Sequence, residues 1–532
     1  MKIKKCIVLS ITAIFVLTVL SCNENKSVKS EPANGKEKKK PNIVLIYADD
    51  LGYGDISPYG SIGLQTPHLD SLASESILFR NAYATAATCT PSRYSLLTGN
   101  YAWRRKGTGV AKGDASLLID TAATTLPSTL NSAGYATGIV GKWHLGLGGE
   151  DGPDWNGKIA PGPLEIGFDY SYIIPATGDR VPCVFVENHH IVDLDPNDPI
   201  QVNYTEKVGD WPTGTENPEL LKMKPSQGHD NTIVNGISRI GWMTGGRAAL
   251  WDDETIAQRL VEKSSDFIAS NKNEPFFLYL STHDIHVPRV PNKMFVGKSG
   301  MGPRGDVILQ LDWTVGQIMS LLKEQKLLDN TVVIFSSDNG PVLDDGYYDQ
   351  ARELNGDHKP AGNFRGGKYS ALEGGSRIPL IVRWPDGKGK GTVSDAMVSQ
   401  VDLLKSFGHL VGVDTIQKVV IDSQNRLAVL MGDDKEGRNS LVQESFEGPL
   451  SYVEGTWKYI APHDGPKMVP WGPKIDTGFR IDPQLYNLKD DPNEQNNLAT
   501  KNPEITEEMG KKLTALLKDG FTNKLEVDVK QY

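Results

Sequence analysis

The chain has 532 residues, of which 39% are hydrophobic and 23% charged, and it contains four cysteines. This composition excludes a disulfide-stabilised mini-protein, a collagen-like or low-complexity chain and a polytopic membrane protein. The formal net charge of −10 provides no general attraction for nucleic acid, so we expect no nucleic-acid partner. Because one hydrophobic core seldom extends over so long a chain, we expect two or more domains.

The N-terminus has the features of a lipoprotein-type signal peptide. A basic start precedes the apolar stretch 7–20, which is shorter than a comfortable membrane span, and Cys22 follows a small residue. We therefore predict residues 1–21 as a signal peptide and Cys22 as the lipid-modified first residue of the mature protein. The alternative is a simple secretory signal in which Cys22 has no role.

Residues 22–40 are rich in Lys, Glu, Ser and Asn and lack aromatic residues, which is typical of a solvated tether. Together with the signal peptide, this predicts an exported lipoprotein attached to the bacterial outer membrane, either in the periplasm or at the cell surface. The lipid anchor would be its only contact with the membrane.

Residues 41–430 alternate short β-rich runs with helical stretches, which indicates an α/β domain with a mostly parallel sheet flanked by helices. Four apolar runs end in polar residues: 42–47 before Asp49 and Asp50, 136–140 before Lys142 and His144, 276–280 before His283 and His286, and 332–335 before Asp338 and Asn339. Because the ligand site of an open α/β sheet lies beyond the carboxyl ends of its strands, we expect the four ends to meet at one site.

Other regions complete the predicted organisation. Residues 146–250 contain many Gly, Pro, Asp and Asn residues, which favours long loops that shape a binding cleft. An amphipathic helix is predicted over 307–322, and a further strand over 379–382. Residues 431–532 change to short strand-like pieces and a final helix over 503–518, which indicates a smaller C-terminal α+β subdomain.

The two acidic pairs at strand ends are candidate metal ligands. Asp49, Asp50, Asp338 and Asn339 offer oxygen-bearing side chains without a neighbouring cluster of His or Cys. Oxygen ligands favour Ca²⁺ or Mg²⁺ over Zn²⁺, and we predict Ca²⁺ with Mg²⁺ as the alternative. Each pair by itself is more typical of a turn or a helix cap, but the two pairs together, at equivalent strand ends, favour a metal site.

The segment Cys89-Thr90-Pro91-Ser92-Arg93, with Gly99 six residues after the arginine, resembles the signature of the type I sulfatases. The resemblance covers nearly the whole mature chain, including 141–144, 282–288, 373–379 and 485–499. It implies an alkaline-phosphatase-like α/β fold with a smaller C-terminal subdomain. It also implies that a formylglycine-generating maturation enzyme oxidises Cys89 to Cα-formylglycine.

Cys89 taken alone has other interpretations. It could be a buried structural thiol, a disulfide partner of Cys183 or a hydrolase-type cysteine nucleophile. A thiolate that attacked a sulfate ester would form an adduct without an easy route of release. The hydrate of an aldehyde carries two hydroxyls, of which one attacks sulfur and the other drives release of sulfate, so the chemistry favours the formylglycine interpretation.

The resemblance assigns roles to the other site residues. Cys89, once modified, joins Asp49, Asp50, Asp338 and Asn339 as a metal ligand. The remaining catalytic residues are Arg93 beside the metal or hydrate, Lys142 and His144 at the nucleophile and sulfate, His286 as general acid, and Lys368 between sulfate and leaving group. The chain departs from the family in having Ile285, where proline is common, before that histidine.

The substrate is expected to be a sulfated oligosaccharide. The candidates are algal polysaccharides such as ulvan or galactan, and glycosaminoglycans such as chondroitin sulfate; the loop 179–188 resembles family members that act on 6-sulfated galactose-type sugars. Arg180, His190 and His358 are candidate substrate-binding residues because they lie in loops near strand ends.

Two other functions stay open at this point. The first is a phosphoesterase of the alkaline phosphatase superfamily, which would need additional His and Asp ligands for a second metal. The second is a non-catalytic lipoprotein that binds sulfated glycan, which would leave Cys89 unmodified.

Overall fold

The structure is a computed structural model that describes residues 39–413, 419–446 and 448–518. The predicted signal peptide, Cys22 and the tether up to residue 38 lie outside the described residues. The corresponding statements on export and lipid attachment therefore stay predictions.

The described residues form twenty strands, most of them short. They are β1 (Asn42–Ala48), β2 (Ile77–Phe79), β3 (Ala82–Tyr83), β4 (Ala136–Lys142), β5 (Tyr170–Ile174), β6 (Val186–Glu187), β7 (His190–Ile191), β8 (Gln201–Asn203), β9 (Ile233–Val234), β10 (Ile237–Ser238), β11 (Trp242–Thr244), β12 (Phe276–Ser281), β13 (Thr331–Ser337), β14 (Leu380–Arg383), β15 (Thr392–Ser394), β16 (Val398–Ser399), β17 (Ser440–Glu444), β18 (Leu450–Glu454), β19 (Trp457–Ile460) and β20 (Gln484–Asn487).

Ten α-helices accompany these strands in the same part of the chain. They are α1 (Pro67–Ser74), α2 (Cys89–Thr98), α3 (Leu126–Ser132), α4 (Ile256–Ser270), α5 (Gly302–Glu324), α6 (Ala351–Leu354), α7 (Glu373–Ser376), α8 (Leu403–Leu410), α9 (Leu427–Leu430) and α10 (Pro503–Lys518). Among the described helices, none combines the length and the apolar character that crossing a membrane requires.

Ten strands form one sheet in the order β15-β2-β14-β13-β1-β12-β4-β5-β6-β7. The five central strands, from β13 to β5, are parallel to one another. Antiparallel pairs occur only toward the edges, between β13, β14 and β2 on one side and β5, β6 and β7 on the other. The predicted mostly parallel sheet is confirmed.

Helices cover both faces of the sheet because its central strands are apolar on both sides. In β1, Ile43 and Leu45 belong to a core shared with α2, α3 and α8, whereas Val44 and Ile46 belong to a core shared with α1, α4 and α5. All seven residues of β1 are buried. Such continuous apolar runs are typical of parallel strands that are covered on two faces.

The region 146–250 confirms the prediction of long loops. Its regular structure beyond β5, β6 and β7 consists of two small antiparallel pairs, β8 with β11 and β9 with β10, and short 3₁₀ turns.

The C-terminal region confirms the predicted smaller α+β subdomain. Strands β17 to β20 form an antiparallel sheet, and α10 packs on it through Met509 and Leu513. The backbone N–H of Ala87 donates to the carbonyl of Glu444 at 2.7 Å, which ties the end of β17 to the segment before α2. The described residues from Lys40 onward belong to one compact unit, and the predicted boundary at residue 430 stays a prediction.

Candidate active site

The four predicted strand ends lie side by side in the centre of the sheet. Strands β13, β1, β12 and β4 are consecutive, and their register pairs Ala48 with Ser337, Tyr47 with Ser281, and Ser281 with Gly141. The polar residues that follow each strand therefore emerge at one edge. The predicted convergence is confirmed, because parallel strands in register must end together.

Two of these strand ends carry backbone in the left-handed region. Asp50 after β1 has φ of 59°, and His144 after β4 has φ of 55°. For residues other than glycine this conformation costs about 1–2 kcal/mol and is concentrated at functional sites. The surrounding contacts therefore hold the backbone of both residues in this conformation.

Four buried oxygen-bearing side chains gather at this edge. Asp49, Asp50, Asp338 and Asn339 are each fully buried. The amide of Asn339 donates to Oδ1 of Asp50 at 2.8 Å, and the backbone N–H of Asp50 donates to Oδ1 of Asp338 at 3.1 Å. One carboxylate oxygen of Asp49, one of Asp50 and one ring nitrogen of His286 all lie within 4.8 Å of one another. This spacing is compatible with a shared metal ion.

The chemistry of this group fits a divalent cation. Oδ1 of Asp49 and Oδ1 of Asn339 are buried and accept no hydrogen bond, although buried polar atoms almost always have a partner. Burial raises the pKa of Asp49 well above its ordinary value, Lys142 opposes that shift, and Asp338 and Asp50 add to it. A cation bound to these oxygens would supply the missing contacts and offset the repulsion between the carboxylates.

Cys89 stands at the start of α2, with Thr88 as the preceding extended residue. Its side chain is 2% exposed and its Sγ lies 3.2 Å from Nδ1 of His144. Burial raises the pKa of the Cys89 thiol, while Lys142 and Lys368 oppose the shift. Cys183 is also a free thiol, so the two cysteines do not form the alternative disulfide.

The second ring nitrogen of His144 determines its tautomer. Nε2 lies 2.9 Å from the carbonyl oxygen of Ala111, which can only accept, so Nε2 carries the hydrogen and Nδ1 is an acceptor facing Cys89. Burial lowers the pKa of His144 well below its ordinary value, and the positive charges of Lys142 and Arg180 lower it further. His144 is therefore a neutral base directed at residue 89.

Arg93 lies beneath the site, without exposure to solvent. Its Nε and one terminal nitrogen donate to Oδ2 of Asp338 at 2.9 and 2.7 Å, and the other terminal nitrogen donates to Ser281. Of the two predicted roles, these contacts favour support of the acidic group over contact with the hydrate. Lys142 likewise donates to Oδ2 of Asp49 at 2.6 Å.

Lys368 joins the acidic group to His286. Its Nζ lies 2.9 Å from Asp50, 2.9 Å from Asp345 and 3.1 Å from Nε2 of His286. Burial alone would lower the pKa of Lys368, but Asp345 and Asp50 hold it well above its ordinary value. Nδ1 of His286 donates to the carbonyl of Val287 at 2.7 Å, so its Nε2 accepts from Lys368.

A cavity of about 430 Å³ lies against this group, which is within the size range of small-molecule sites. It is lined by the catalytic candidates Cys89, His286 and Lys368, by the polar side chains Asp179, Arg180, His229, Asp345 and Glu444, and by the aromatic side chains Tyr369, Phe446 and Trp471, among others. Arg180 is thus brought into the cavity as expected of a substrate-binding residue.

The structure does not bring His190 and His358 into this cavity. His190 lies on the edge strand β7, is exposed, and has Nδ1 3.1 Å from the carbonyl of Gly157. His358 is buried, with Nε2 2.8 Å from Asp55 and Nδ1 3.1 Å from the carbonyl of Ile62. Proximity of a loop to a strand end therefore does not decide which way its side chains face, and the substrate contact of these two histidines stays a prediction.

The cavity residues that the sequence analysis missed include His229, Asp345, Tyr369 and Trp471. None follows a predicted strand, and each comes from a loop without periodicity. The only local signal is that Tyr369 adjoins Lys368. Asp345 matters because it accepts hydrogen bonds from both Lys368 and the Tyr369 hydroxyl, at 2.9 Å each.

The fold and the site define a hydrolase of anionic esters, with a nucleophile at a helix start beside a buried acidic metal site. The sulfatase family model matches residues 41–413, and a second model, described as the C-terminal region of N-sulphoglucosamine sulphohydrolase, matches residues 367–519. The chain therefore belongs to the sulfatase family and is a sulfuric ester hydrolase. The family generally uses formylglycine and a divalent metal, and membership argues against the phosphoesterase and non-catalytic alternatives.

Individual relatives cover almost the whole chain. An N-acetylgalactosamine-6-O-sulfatase of Bacteroides thetaiotaomicron is 55% identical over 501 residues, which cover 94% of this chain and 97% of the relative. A mouse steryl-sulfatase is 30% identical over 81% of this chain and 73% of its own length. A solved sulfatase structure from work on the metabolism of multiple glycosaminoglycans by Bacteroides thetaiotaomicron has 56% identity and a TM-score of 0.89, covering 90% of this chain and all of its own.

Proposed function

We propose that this sulfatase removes the 6-O-sulfate from N-acetylgalactosamine residues of a sulfated glycosaminoglycan such as chondroitin sulfate. The observation that carries the proposal is the 55% identity to an N-acetylgalactosamine-6-O-sulfatase over nearly the full length of both chains. The similar solved structure from glycosaminoglycan metabolism supports the same class of substrate. Ulvan and galactans are the less favoured candidates.

The cavity supports a substrate with one sulfate and one sugar ring. Cys89, His286 and Lys368 supply a cationic and nucleophilic end for the sulfate. Asp179 accepts from Arg180 at 2.9 Å and from His229 at 3.1 Å, so this group presents fixed polar atoms for sugar hydroxyls. A confined cavity of this kind favours a residue at a chain end.

Ca²⁺ is the metal we propose for the acidic group. Asp49, Asp50, Asp338, Asn339 and the modified side chain of residue 89 would hold it, and carboxylate and amide oxygens are the ligands that Ca²⁺ prefers. When bound, Ca²⁺ would neutralise sulfate oxygens and favour ionisation of the nucleophile. The unpartnered oxygens of Asp49 and Asn339 support the assignment.

Cys89 is the residue we propose to be converted to formylglycine by a maturation enzyme. Once converted and hydrated by water, residue 89 would supply one hydroxyl to attack sulfur and expel the sugar alcohol, and loss of the proton from the second hydroxyl would release sulfate and restore the aldehyde. His144, neutral and with Nδ1 facing residue 89, is placed to take a proton from that side chain. Lys368 donates to Nε2 of His286 at 3.1 Å, and this pair is placed to protonate the departing sugar oxygen.

Conversion of Cys89 is tested by peptide mass. Trypsin cuts after Arg80 and Arg93, so the peptide 81–93 isolates the site. Protein from the native host should show the aldehyde mass, and an intact thiol there would contradict the proposed nucleophile.

We also propose that the protein is an exported outer-membrane lipoprotein, which the N-terminal pattern around Cys22 supports. Labelling with a radioactive fatty acid, compared between the parent and a Cys22→Ser variant, would test this proposal.

Substrate identity is tested by sulfate release from a matched panel. The panel contains the 6-sulfates of N-acetylgalactosamine and N-acetylglucosamine, the 4-sulfate of N-acetylgalactosamine, chondroitin 6-sulfate oligosaccharides, and ulvan and galactan fragments. We expect release from N-acetylgalactosamine 6-sulfate and from chondroitin fragments that carry it at the chain end. Release only from another ester, by protein with confirmed formylglycine, would replace the proposed substrate while leaving the sulfatase activity in place.

A further inference from the structure

We propose that Trp471 forms a stacking platform for the sugar ring of the substrate, supplied to the active site by the C-terminal region. This inference rests on the proposed function, since it concerns the saccharide that carries the sulfate. Trp471 lines the cavity that also contains Cys89 and Lys368, and it is partly exposed there. It therefore presents apolar surface to whatever occupies the cavity.

The ring of Trp471 is held in place by two other aromatic rings. It lies 5.1 Å from Tyr369 at an interplanar angle of 79° and 5.3 Å from Phe446 at 84°. Phe446 in turn stacks on Phe479, with centroids 5.4 Å apart and planes inclined by 20°. We call Tyr369, Phe446 and Trp471 the aromatic wall; its rings are fixed before a ligand arrives, which lowers the entropy lost on binding.

The aromatic wall is connected to the sulfate end of the cavity. The Tyr369 hydroxyl donates to Oδ1 of Asp345 at 2.9 Å, and the same carboxylate accepts from Lys368 at 2.9 Å. A sugar whose sulfate contacts Lys368 therefore has the aromatic wall within the same cavity. This places Trp471 next to the ring that carries the ester.

The backbone next to Trp471 is fastened to the loop that carries His229. The N–H of Gly472 donates to the side chain of Gln227, and Arg352 donates to the carbonyl of Gly472 at 2.7 Å. His229 itself contacts Asp179 at 3.1 Å. One connected set of loops thus supplies both the polar residues of the cavity and its aromatic wall.

A galactose-type ring has both an apolar face and hydroxyl groups, which match the aromatic wall and the polar residues of the cavity. Its axial O4 hydroxyl lies on one face, so the C–H groups at C3, C4 and C5 form an apolar patch on the other. The hydrogens of these groups carry partial positive charge, and the face of an indole ring carries partial negative charge. Asp179, Arg180 and His229 offer hydrogen bonds to hydroxyls, which the aromatic wall cannot offer.

The test compares full-length, formylglycine-containing Trp471→Ala and Trp471→Phe enzymes with the parent. The measurements are kcat and KM for N-acetylgalactosamine 6-sulfate and the inhibition constant of inorganic sulfate. We expect KM to rise about tenfold in Trp471→Ala and less in Trp471→Phe, with kcat changed by less than about threefold. Inorganic sulfate should inhibit all three enzymes equally, because it occupies the sulfate end without needing the platform.

Trp313→Ala provides a matched control. Trp313 is a partly exposed residue of α5 that packs at 6.0 Å against Phe295, and it does not line the cavity. We expect its KM to equal that of the parent. Thermal unfolding of each variant shows whether it is folded. If Trp471→Ala does not fold, the KM of Trp471→Phe still tests the platform.

An unchanged KM in both Trp471 variants would overturn the platform. Weaker inhibition by inorganic sulfate, in parallel with the rise in KM, would also overturn it, because it would show that the substitution acts by displacing Lys368. If the parent releases sulfate from a different sugar, the proposed function fails by itself. The same comparison on that sugar then decides the platform by the same criteria.

Discussion

Lys368 and Asp345 form a buried ion pair in which Nζ and Oδ2 are 2.9 Å apart. Nζ also contacts Asp50 and His286, so Asp345 is one of three groups that position the charge of the lysine. We expect Asp345→Asn to lower kcat/KM about tenfold to a hundredfold, as is usual for loss of a buried charged hydrogen-bond partner. Steady-state kinetics and the inhibition constant of inorganic sulfate, which should rise, measure this effect.

Asp344→Asn is the control for that substitution. Asp344 adjoins Asp345 but accepts a hydrogen bond from the hydroxyl of Ser226 at 2.6 Å. The side-chain oxygen of an asparagine can still accept this hydrogen bond. Asp345→Glu should recover part of the activity. Equal kinetics for Asp345→Asn and the parent would show that Asp345 does not position Lys368.

Cys89 is the predicted nucleophile, with its Sγ 3.2 Å from His144. Cys89→Ala should reduce turnover by about three orders of magnitude or more while the protein still folds and binds substrate. Calorimetric titration with N-acetylgalactosamine 6-sulfate checks the binding. Cys183→Ala, which removes the other buried cysteine of the described residues, should keep its activity; substantial turnover by Cys89→Ala would refute the assignment.

Removal of the metal should affect both activity and stability. Three carboxylates and Asn339 are fully buried at one point, and a ligand that binds only the folded state adds to its stability. A chelator should abolish sulfate release and lower the melting temperature by a few degrees. Ca²⁺ should restore both in the parent and should not raise the melting temperature of Asp338→Ala. Full activity in a metal-free preparation would contradict the metal site.

Glu444 should make the folded state less stable at alkaline pH. Burial raises the pKa of this cavity residue to about 8, opposed only in part by a hydrogen bond from the backbone of Trp103. Its carboxyl is thus neutral in the folded protein at pH values where it ionises in the unfolded chain. Stability from this group is complete below the unfolded pKa near 4.5 and is lost progressively as the pH rises toward 8.

Glu444→Gln removes that titration. As the pH rises from 5 to 8, the parent should lose stability that the variant keeps. The difference in their free energies of unfolding should therefore grow by on the order of 1–3 kcal/mol in favour of the variant. Denaturant unfolding at the two pH values measures it, with the exposed Glu436→Gln as a control for loss of one carboxylate. A parent and a Glu444→Gln variant with the same pH dependence would refute the neutral buried carboxyl.

The sequence predicted the centre of the site well. Each of β1, β4, β12 and β13 is a short apolar run whose last residues are followed by chemically useful side chains, and parallel strands in register have to end together. The nucleophile segment was recognisable because its residues are neighbours in the chain. Helix α5 was also expected, since its buried positions recur with helical spacing.

Other parts of the site depend on contacts that no local pattern contains. Asp345 and Trp471 meet Lys368 and Tyr369 only after loops from distant parts of the chain have packed together. His358 shows the same dependence on tertiary contacts, since this polar loop residue pairs with Asp55 in the interior.

By itself, then, the sequence determined the α/β class, the sulfatase chemistry and the side chains at the strand ends, because periodicity and short motifs act over a few residues. The tertiary structure alone decided which loop side chains line the cavity and which are satisfied elsewhere. The physical reason is that a loop has no period to orient its side chains. The direction of these side chains is determined by the hydrogen bonds, ion pairs and ring contacts that form when loops from distant parts of the chain pack against each other.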